Sequence, residues 1–266
     1  MQQDPISALP GAQDVRRLHD LGGRVALVTG GGSGLGRAMA WGLACHGADI
    51  VIVDQAADRA QACALEIEQG TGRRALSYAA DVSAEREVNA AVQAALRECG
   101  RIDILLNNAG HNIRKPVLEF TQEEFDSLHA VHVRGAFLFC KALGHHMQQR
   151  GSGSIINIAS VLGLVAAPGV APYSAAKAAL AAFSRVLALE MAPYNVRVNA
   201  IAPGYIDTPL TRTHPEPVRR AITENTPLGR FGLAAELIGP LLFLASDASS
   251  FVTGSTLVVD GGWTAR

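Results

Sequence analysis

The chain has 266 residues, 48% of them hydrophobic and 18% charged, with a formal net charge of −1. That length suits one α/β domain with a full core, and the near-neutral balance, without a Lys/Arg block, gives neither nucleic acid nor an anionic membrane an electrostatic footprint. No apolar run approaches the ~18 residues of a membrane span. Four scattered cysteines, Cys45, Cys63, Cys99 and Cys140, form no Cys-x-x-Cys pair. Neither a metal site nor a disulfide framework is signalled, and a cytoplasmic location is expected. Acids and prolines interrupt Met1 to Pro10, which does not read as a signal peptide.

Residues 1–20 lack a clear period and read as a loosely held arm before a single domain over residues 21–266. Arg24–Thr29 predicts a strand and Gly34–His46 a helix. Between them lies Thr29-Gly30-Gly31-Gly32-Ser33-Gly34-Leu35-Gly36. Glycines there permit a tight turn and close approach of backbone to a pyrophosphate, while the helix N-terminus offers free N–H groups. In a strand–turn–helix context this predicts a dinucleotide site. Asp54 ends the next strand, Asp49–Asp54, and no Arg or Lys follows until Arg59. An acid there accepts hydrogen bonds from both ribose hydroxyls of NAD and repels the 2′-phosphate of NADP, so NAD is the expected cofactor. The alternative is that Asp54 caps the helix Ala57–Gln69. After strand Ala75–Ala80, Asp81 and Val82 are placed to read the adenine edge or to cap helix Ala84–Cys99. Strand Ile102–Asn107 leads into Asn108-Ala109-Gly110, where small residues let backbone lie against the coenzyme. In the following loop Arg114 can fork onto a carboxylate or stand as a solvated cation.

A long helix is expected over Gln122–Gln149, then strand Ser154–Ala159. Ser160 follows at the carboxyl edge of the sheet, where its hydroxyl can bond a substrate oxygen. In helix Pro172–Met191, Tyr173 and Lys177 are four apart and share a face. A phenol of pKa ~10 is a poor base near neutrality. A nearby ammonium, helped by oxidised nicotinamide, is expected to stabilise phenolate, letting Tyr173 exchange a proton with an alcohol or ketone as hydride moves. After strand Val196–Ile201 the Pro- and Thr-rich segment 203–230 reads as a long substrate loop or lid. Helix Ala234–Ser246 and strand Thr256–Asp260 complete the pattern. Seven apolar strands alternating with helices predict an α/β fold, a single Rossmann-type doubly wound parallel sheet with helices on both faces.

The ordered set Thr29–Gly36, Asp81, Asn107–Gly110, Ser160, Tyr173/Lys177, Pro203-Gly204 and Thr208 resembles the short-chain dehydrogenase/reductase family, over essentially Gly23 to the C-terminus. The resemblance implies that Ser33, Gly34 and Leu35 line the phosphates, within the turn bounded by Gly30 and Gly36. It implies that Asp54 holds the adenosine ribose, Asp81 and Val82 lie near adenine, and Lys177 binds the nicotinamide ribose. Ile206 and Thr208, after Pro203 and Gly204, would hold the carboxamide. It also implies a homotetramer built on paired helices and the C-terminal strand. One departure stands out: His132 occupies a position where the family usually has Asn, which helps position a water in a proton relay from the active-site Lys. Either His132 holds such a water and adds a titration near pH 6.5, the ~6.5 of free imidazole, or the relay is impaired. A metal site from His129 and His132 lacks a third ligand.

Within the family, the loop Gly110–Pro116, Glu119-Phe120, Gly229–Leu233, Gly239-Pro240 and Val259–Arg266 are similar to bacterial sugar-acid dehydrogenases acting on gluconate or 2-dehydro-3-deoxy-gluconate. This implies hydride transfer between NAD and a secondary alcohol or ketone of a hexonate. His111, Arg114 and Tyr205 are the candidate substrate residues, with Asn112 and His214 as further polar contacts. The alternatives are a 3-oxoacyl reductase, against which Asp54 stands, a polyol or other alcohol dehydrogenase, and an NAD-binding protein with little turnover.

Overall fold

The computed structural model describes residues 11–265. In chain order it contains α1 (Ala12–Arg16), β1 (Val25–Thr29), α2 (Gly34–Cys45), β2 (Asp49–Asp54), α3 (Ala57–Thr71), β3 (Ala75–Ala79), α4 (Glu85–Cys99) and β4 (Ile104–Asn107). There follow α5 (Gln122–His129), α6 (Gly135–Arg150), β5 (Gly153–Ile158), α7 (Ala171–Met191), β6 (Val196–Pro203), β7 (Ile206–Asp207), α8 (Pro209–Arg212), α9 (Glu216–Asn225), β8 (Gly232–Leu233), α10 (Ile238–Ala245) and β9 (Thr256–Val259). The expected Rossmann-type sheet is present. Its seven strands run parallel in the order β3-β2-β1-β4-β5-β6-β9, and β7 pairs with β8 separately.

The strands form here because each is apolar on both faces. Along β1, Ala26 and Val28 pack with α2 and α10, while Val25 and Leu27 pack with α4 and α6. β2 divides in the same way, with Ile50 and Ile52 on one side and Val51 and Val53 on the other. Successive side chains of a strand point to opposite faces, so one unbroken β-branched run feeds two cores.

Three expectations need correction. The helix expected over Gln122–Gln149 is broken: α5 ends at His129, a π-helical turn spans Ala130–Arg134, and α6 begins at Gly135. Such turns carry no propensity signature and occur often at functional sites. The segment 203–230 is not a structureless loop, since it contains β7, α8 and α9. Pro209 opens α8 and Pro217 lies in the first turn of α9, where a missing N–H costs nothing. The last helix starts as a 3-10 turn over Ala234–Leu237 before α10. Of the arm expected over residues 1–20, residues 1–10 lie outside the described residues. Beyond them, Leu18 O accepts from Ala248 N at 3.2 Å.

Two turns set the geometry of the sheet's carboxyl edge. Gly36, in the first turn of α2, lies under the β1 turn, and a Cβ there would come 2.1 Å from Gly30 O and 2.5 Å from Asn108 Nδ2. Gly36→Ala is expected to destabilise the protein by about 1–3 kcal/mol, as overpacking does. Urea unfolding checks this, and an unchanged midpoint would show that the turn relaxes freely.

Candidate active site

In a doubly wound sheet, ligands bind where the strand order reverses. Here that point lies between β1 and β4. Thr29 Oγ1 accepts from Asn108 N at 3.0 Å and Ala109 N at 3.1 Å, while Asn108 Nδ2 donates to Thr29 O and Gly30 O, each at 3.1 Å. The two turns are thereby held side by side. A cavity of about 820 Å³ opens above them, within the range of small-molecule and cofactor sites.

The residues of the glycine turn fit a dinucleotide. Gly30 has φ +61°, and a Cβ on it would meet Ala109 Cα at 2.8 Å. Gly30, Ser33, Gly34 and Leu35 line the cavity. Ser33 makes no side-chain cap on α2, leaving the first-turn N–H groups for an anion. Gly36 supports the turn from below and is not in the wall.

Asp54 is buried at the end of β2 and faces the same cavity. Its Oδ2 accepts from Gly32 N and its Oδ1 from Ala56 N, both at 3.0 Å. The carboxylate therefore fixes both the glycine turn and the entry to α3, while the N-cap position of α3 is Ala56. Gln55 and Arg59 join it in the wall, and the sequence reading did not anticipate that. Farther along, Asp81 and Val82 line the cavity, with Asp81 Oδ1 accepting from both Ser83 N and Ser83 Oγ at 2.8 Å. Asn108, Ala109 and Gly110 form the wall from the β4 side, and Pro203, Gly204, Ile206 and Thr208 from the β6 side.

The expected catalytic residues meet in this cavity. Ser160 follows β5 and begins a 3-10 turn, its Oγ accepting from Leu162 N at 3.1 Å. The Tyr173 hydroxyl hydrogen-bonds Ser160. One turn along α7, buried Lys177 donates from Nζ to Ile158 O at 2.6 Å, and this nitrogen lies 5.6 Å from the Tyr173 ring centroid.

The electrostatics depart from the sequence-based expectation. Among protein groups alone, the Tyr173 phenol is not lowered: burial pushes it up more strongly than the Ser160 hydrogen bond pulls it down. Burial also pushes Lys177 down to about 7. Desolvation disfavours an isolated ammonium, and no carboxylate among the described residues offsets it here.

His132 lies in the π-helical turn and is buried. Its Nε2 is 2.7 Å from His111 O, and its ring meets Tyr173 edge-on at 5.3 Å. The titration expected near pH 6.5 does not hold. Burial, reinforced by Lys177, pushes the imidazolium far down, although the His111 carbonyl opposes this. With His132 neutral, the bond to a carbonyl requires the Nε2–H tautomer. The ring also explains Gly110, because a Cβ there would lie 2.3 Å from His132 Cε1. No group of three or more His, Cys, Asp or Glu among the described residues is arranged to hold a metal.

The expected substrate residues are not all brought together. His111 lines the cavity, with Nε2 3.2 Å from Ser127 Oγ. Arg114 is exposed and outside the wall, next to Gly169. Tyr205 is also outside it, packed edge-on against Trp263 at 4.9 Å and Phe231 at 6.2 Å. His214 is held below its usual range by burial, then by Arg114 and Arg219. Ser127, Ala130 and Val131 from α5 and the π turn, and Pro209 and Thr211 from α8, also line the cavity. Only the break in the helix could have flagged the first three.

A reversed parallel sheet, a glycine cradle at the reversal and a Ser–Tyr–Lys constellation facing it define a nicotinamide-dependent oxidoreductase. The comparisons agree, and the chain belongs to the short-chain dehydrogenase/reductase family. Residues 30–264 match a family model described as enoyl-(acyl carrier protein) reductase. The 2-dehydro-3-deoxy-D-gluconate 5-dehydrogenase of Escherichia coli is 42% identical, covering 92% of this chain and 97% of that protein. The gluconate 5-dehydrogenase of Gluconobacter oxydans is 39% identical, covering 93% and 97%. The solved gluconate 5-dehydrogenase of Burkholderia cenocepacia, in complex with NADP and tartrate, superposes with a TM-score of 0.91 at 39% identity, covering 95% and 99%. No helix among the described residues is long and apolar enough to cross a membrane.

Lys177 makes stability depend on pH. Its native value of about 7 lies below the 10.5 of a free lysine, so between these values the unfolded chain binds more protons and stability rises with pH. Relative to Lys177→Met, which lacks the group, the native chain is expected to gain stability from pH 7 to about 10 as its buried lysine sheds its charge. Urea midpoints across this window check the sign, and parallel profiles for the two proteins would refute the depressed value.

Proposed function

We propose that this protein is a cytoplasmic, homotetrameric NAD-dependent dehydrogenase that interconverts a secondary alcohol and a ketone of a sugar acid. The observation that carries the reading is the convergence of Ser160, Tyr173 and Lys177 on a cavity that also holds the glycine turn and Asp54. Bound nicotinamide coenzyme would supply the hydride acceptor or donor. Gly30, Ser33, Gly34, Leu35 and the first amides of α2 hold its phosphates, and Asp54 its adenosine ribose. Asp81 and Val82 flank adenine, Asn108 to Gly110 support the coenzyme from β4, and Pro203, Gly204, Ile206 and Thr208 enclose the nicotinamide end.

Ser160 donates to the substrate oxygen, and Tyr173 moves the proton to or from it. The buried phenol needs a positive charge to ionise, and Lys177 supplies it from one turn away. A carboxylate at Asp54 favours the free ribose hydroxyls of NAD over a 2′-phosphate. The sugar-acid relatives support a hexonate substrate. Its hydroxyls are assigned to His111, which lines the cavity, and its carboxylate to Arg114, which stands outside the wall and must move to reach it. The segment 203–230 closes over the bound substrate, bringing His214 toward Arg114.

Exposed Phe125 and Phe137 on α5 and α6, and Val186 and Leu189 on α7, support assembly through paired helices. Val258 on the β9 edge and Phe251 support contacts there. The free cysteines accord with a reducing compartment.

Purified protein offered NAD and gluconate or a related aldonate is expected to produce NADH at 340 nm. Tyr173→Phe should cut kcat by about 10²–10⁴-fold, the range of general acid–base catalysis, while NAD binding persists. NAD binding without turnover on any aldonate, polyol or secondary alcohol would overturn the dehydrogenase reading. Asp54→Ala should narrow the preference for NAD over NADP, measured as the ratio of kcat/KM values, and an unchanged ratio would remove Asp54 from the ribose. Amide hydrogen exchange in 203–230 should slow when coenzyme and substrate are both bound, and equal exchange with and without them would refute closure.

A further inference from the structure

Asp207 on β7 is the meeting point of two arginines from the helices that follow it. Arg212 on α8 forks onto it, with Nε 3.1 Å from Oδ1 and Nη2 2.9 Å from Oδ2. Such a fork uses both oxygens of a carboxylate. Arg219 on α9 comes second. Its Nη2 stays 3.8 Å from Asp207 Oδ1, beyond hydrogen-bonding distance. Its Nη1 donates to Thr211 O at 3.1 Å, and its planar face covers the Phe231 ring at 4.6 Å. Thr211 lines the main cavity, so this guanidinium rests against the backbone of a wall residue.

A guanidinium has five N–H donors, and no carboxylate among the described residues hydrogen-bonds this one. A second cation, Arg114 in the loop after β4, forms no ion pair among the described residues, whereas its neighbour Lys115 is paired with Glu124 at 2.5 Å. His214, between α8 and α9, senses both arginines. Burial, and then Arg114 and Arg219, disfavour its imidazolium, and no carboxylate among the described residues opposes them. The charge around His214 is therefore positive and uncompensated, a setting that draws an anion.

We propose that Arg219 is a specificity-determining residue: as the segment 203–230 closes, its unused donors take the carboxylate of the substrate, together with Arg114 and beside His214. This rests on the sugar-acid reading and adds a second cation to the one assigned there. Asp207 holds Arg212 and leaves Arg219 to the ligand. Phe231 fixes the plane of the guanidinium, so its fork is preset and little side-chain freedom is lost on binding. A neutral polyol offers no charge partner, and closure over it would bury two cations unpaired, which is costly. The site thus selects an acid both by binding it and by penalising its absence.

Calorimetric titration of gluconate into the intact protein saturated with NAD, in a Tyr173→Phe background that blocks turnover, reads binding alone. Glucitol, the same chain with an alcohol in place of the carboxylate, is the control. Arg219→Gln is expected to weaken gluconate binding by roughly 10- to 100-fold, the effect of a hydrogen bond to a charged group, and to change glucitol binding far less. Arg219→Lys, which keeps the charge and gives up the fork, should recover part of the loss. The gluconate affinity of the parent should fall as salt is raised from about 0.05 to 0.3 M, and more steeply than that of Arg219→Gln. Equal losses for gluconate and glucitol, or equal losses in the Lys and Gln variants, would show a merely structural arginine and overturn the proposal.

With Tyr173 intact, Arg219→Gln should raise KM for gluconate far more than it lowers kcat. Oxidation of gluconate with a KM unmoved by Arg219→Gln would sink this inference and leave the dehydrogenase reading standing. Gluconate that binds through Arg219 and is never oxidised would do the reverse.

Discussion

One side-chain amide, that of Asn108, holds the carbonyls of two consecutive residues, Thr29 and Gly30, while the Thr29 hydroxyl returns the favour to two backbone N–H groups of the β4 turn. This four-bond clamp joins the loops on either side of the strand-order reversal. β1 and β4 pair directly, and the clamp carries that spacing on into the two turns beyond the strand ends. The glycines follow from the clamp. Gly30 must let Ala109 pass at close range, and Gly36 must let the turn settle on α2. A sequence with side chains at these positions would force the turns apart, and with them the walls of the cavity.

Burial governs the chemistry inside those walls. Tyr173, Lys177 and His132 are each shifted chiefly by loss of water, and each is shifted toward its neutral form. Among the described residues no acid stands beside Lys177, and a backbone carbonyl holds the nitrogen instead at 2.6 Å. A carboxylate there would secure the ammonium permanently. A carbonyl orients it and leaves its charge responsive to whatever enters the cavity. Lys177, at about 7, is thus the group near its point of protonation, while Tyr173 and His132 are held in their neutral forms.

The strands and the glycine turn were legible because their physics is local. β-branched runs buried on both faces, followed by glycines and a helix start, leave few other structures for Arg24–His46 or Asp49–Gln69. Ser160, Tyr173 and Lys177 were legible as a helix face near a strand end, and the structure brings them into one cavity. The π turn was not legible, since Ala130–Arg134 has ordinary helical residues and only tertiary packing widens that turn. α8 and α9 were hidden by their prolines, which read as breakers unless they fall in a first turn. Arg114 and Tyr205 fell outside the wall because a loop's path depends on contacts made elsewhere, here with Gly169 and Trp263. The clamp role of Asn108 also escaped notice: a doubly wound sheet sets β1 beside β4, but no residue signal says that this side chain crosses to the Thr29 turn.

Reaction class and substrate choice therefore rest on different parts of the molecule. The groups that move a proton are set by β5, α7 and the π turn, all packed into the two cores. The rest of the wall includes His111 from the loop after β4 and Pro209 and Thr211 from α8, while α9 and the C-terminal tail stand outside it. Behind them, α9, the segment after β6 and the C-terminal tail pack on their own neighbours. Arg219 lies over the Phe231 ring at 4.6 Å and Tyr205 packs on Trp263, while Asp260 accepts from Gly262 N and Thr264 N at 2.8 Å. A change in α8, α9 or the C-terminal tail alters the surroundings of the cavity without touching the clamp or Lys177, whereas the loop after β4 is tied to the buried histidine through His111 O. That separation lets one scaffold keep its proton chemistry while its outer segments vary in what they admit.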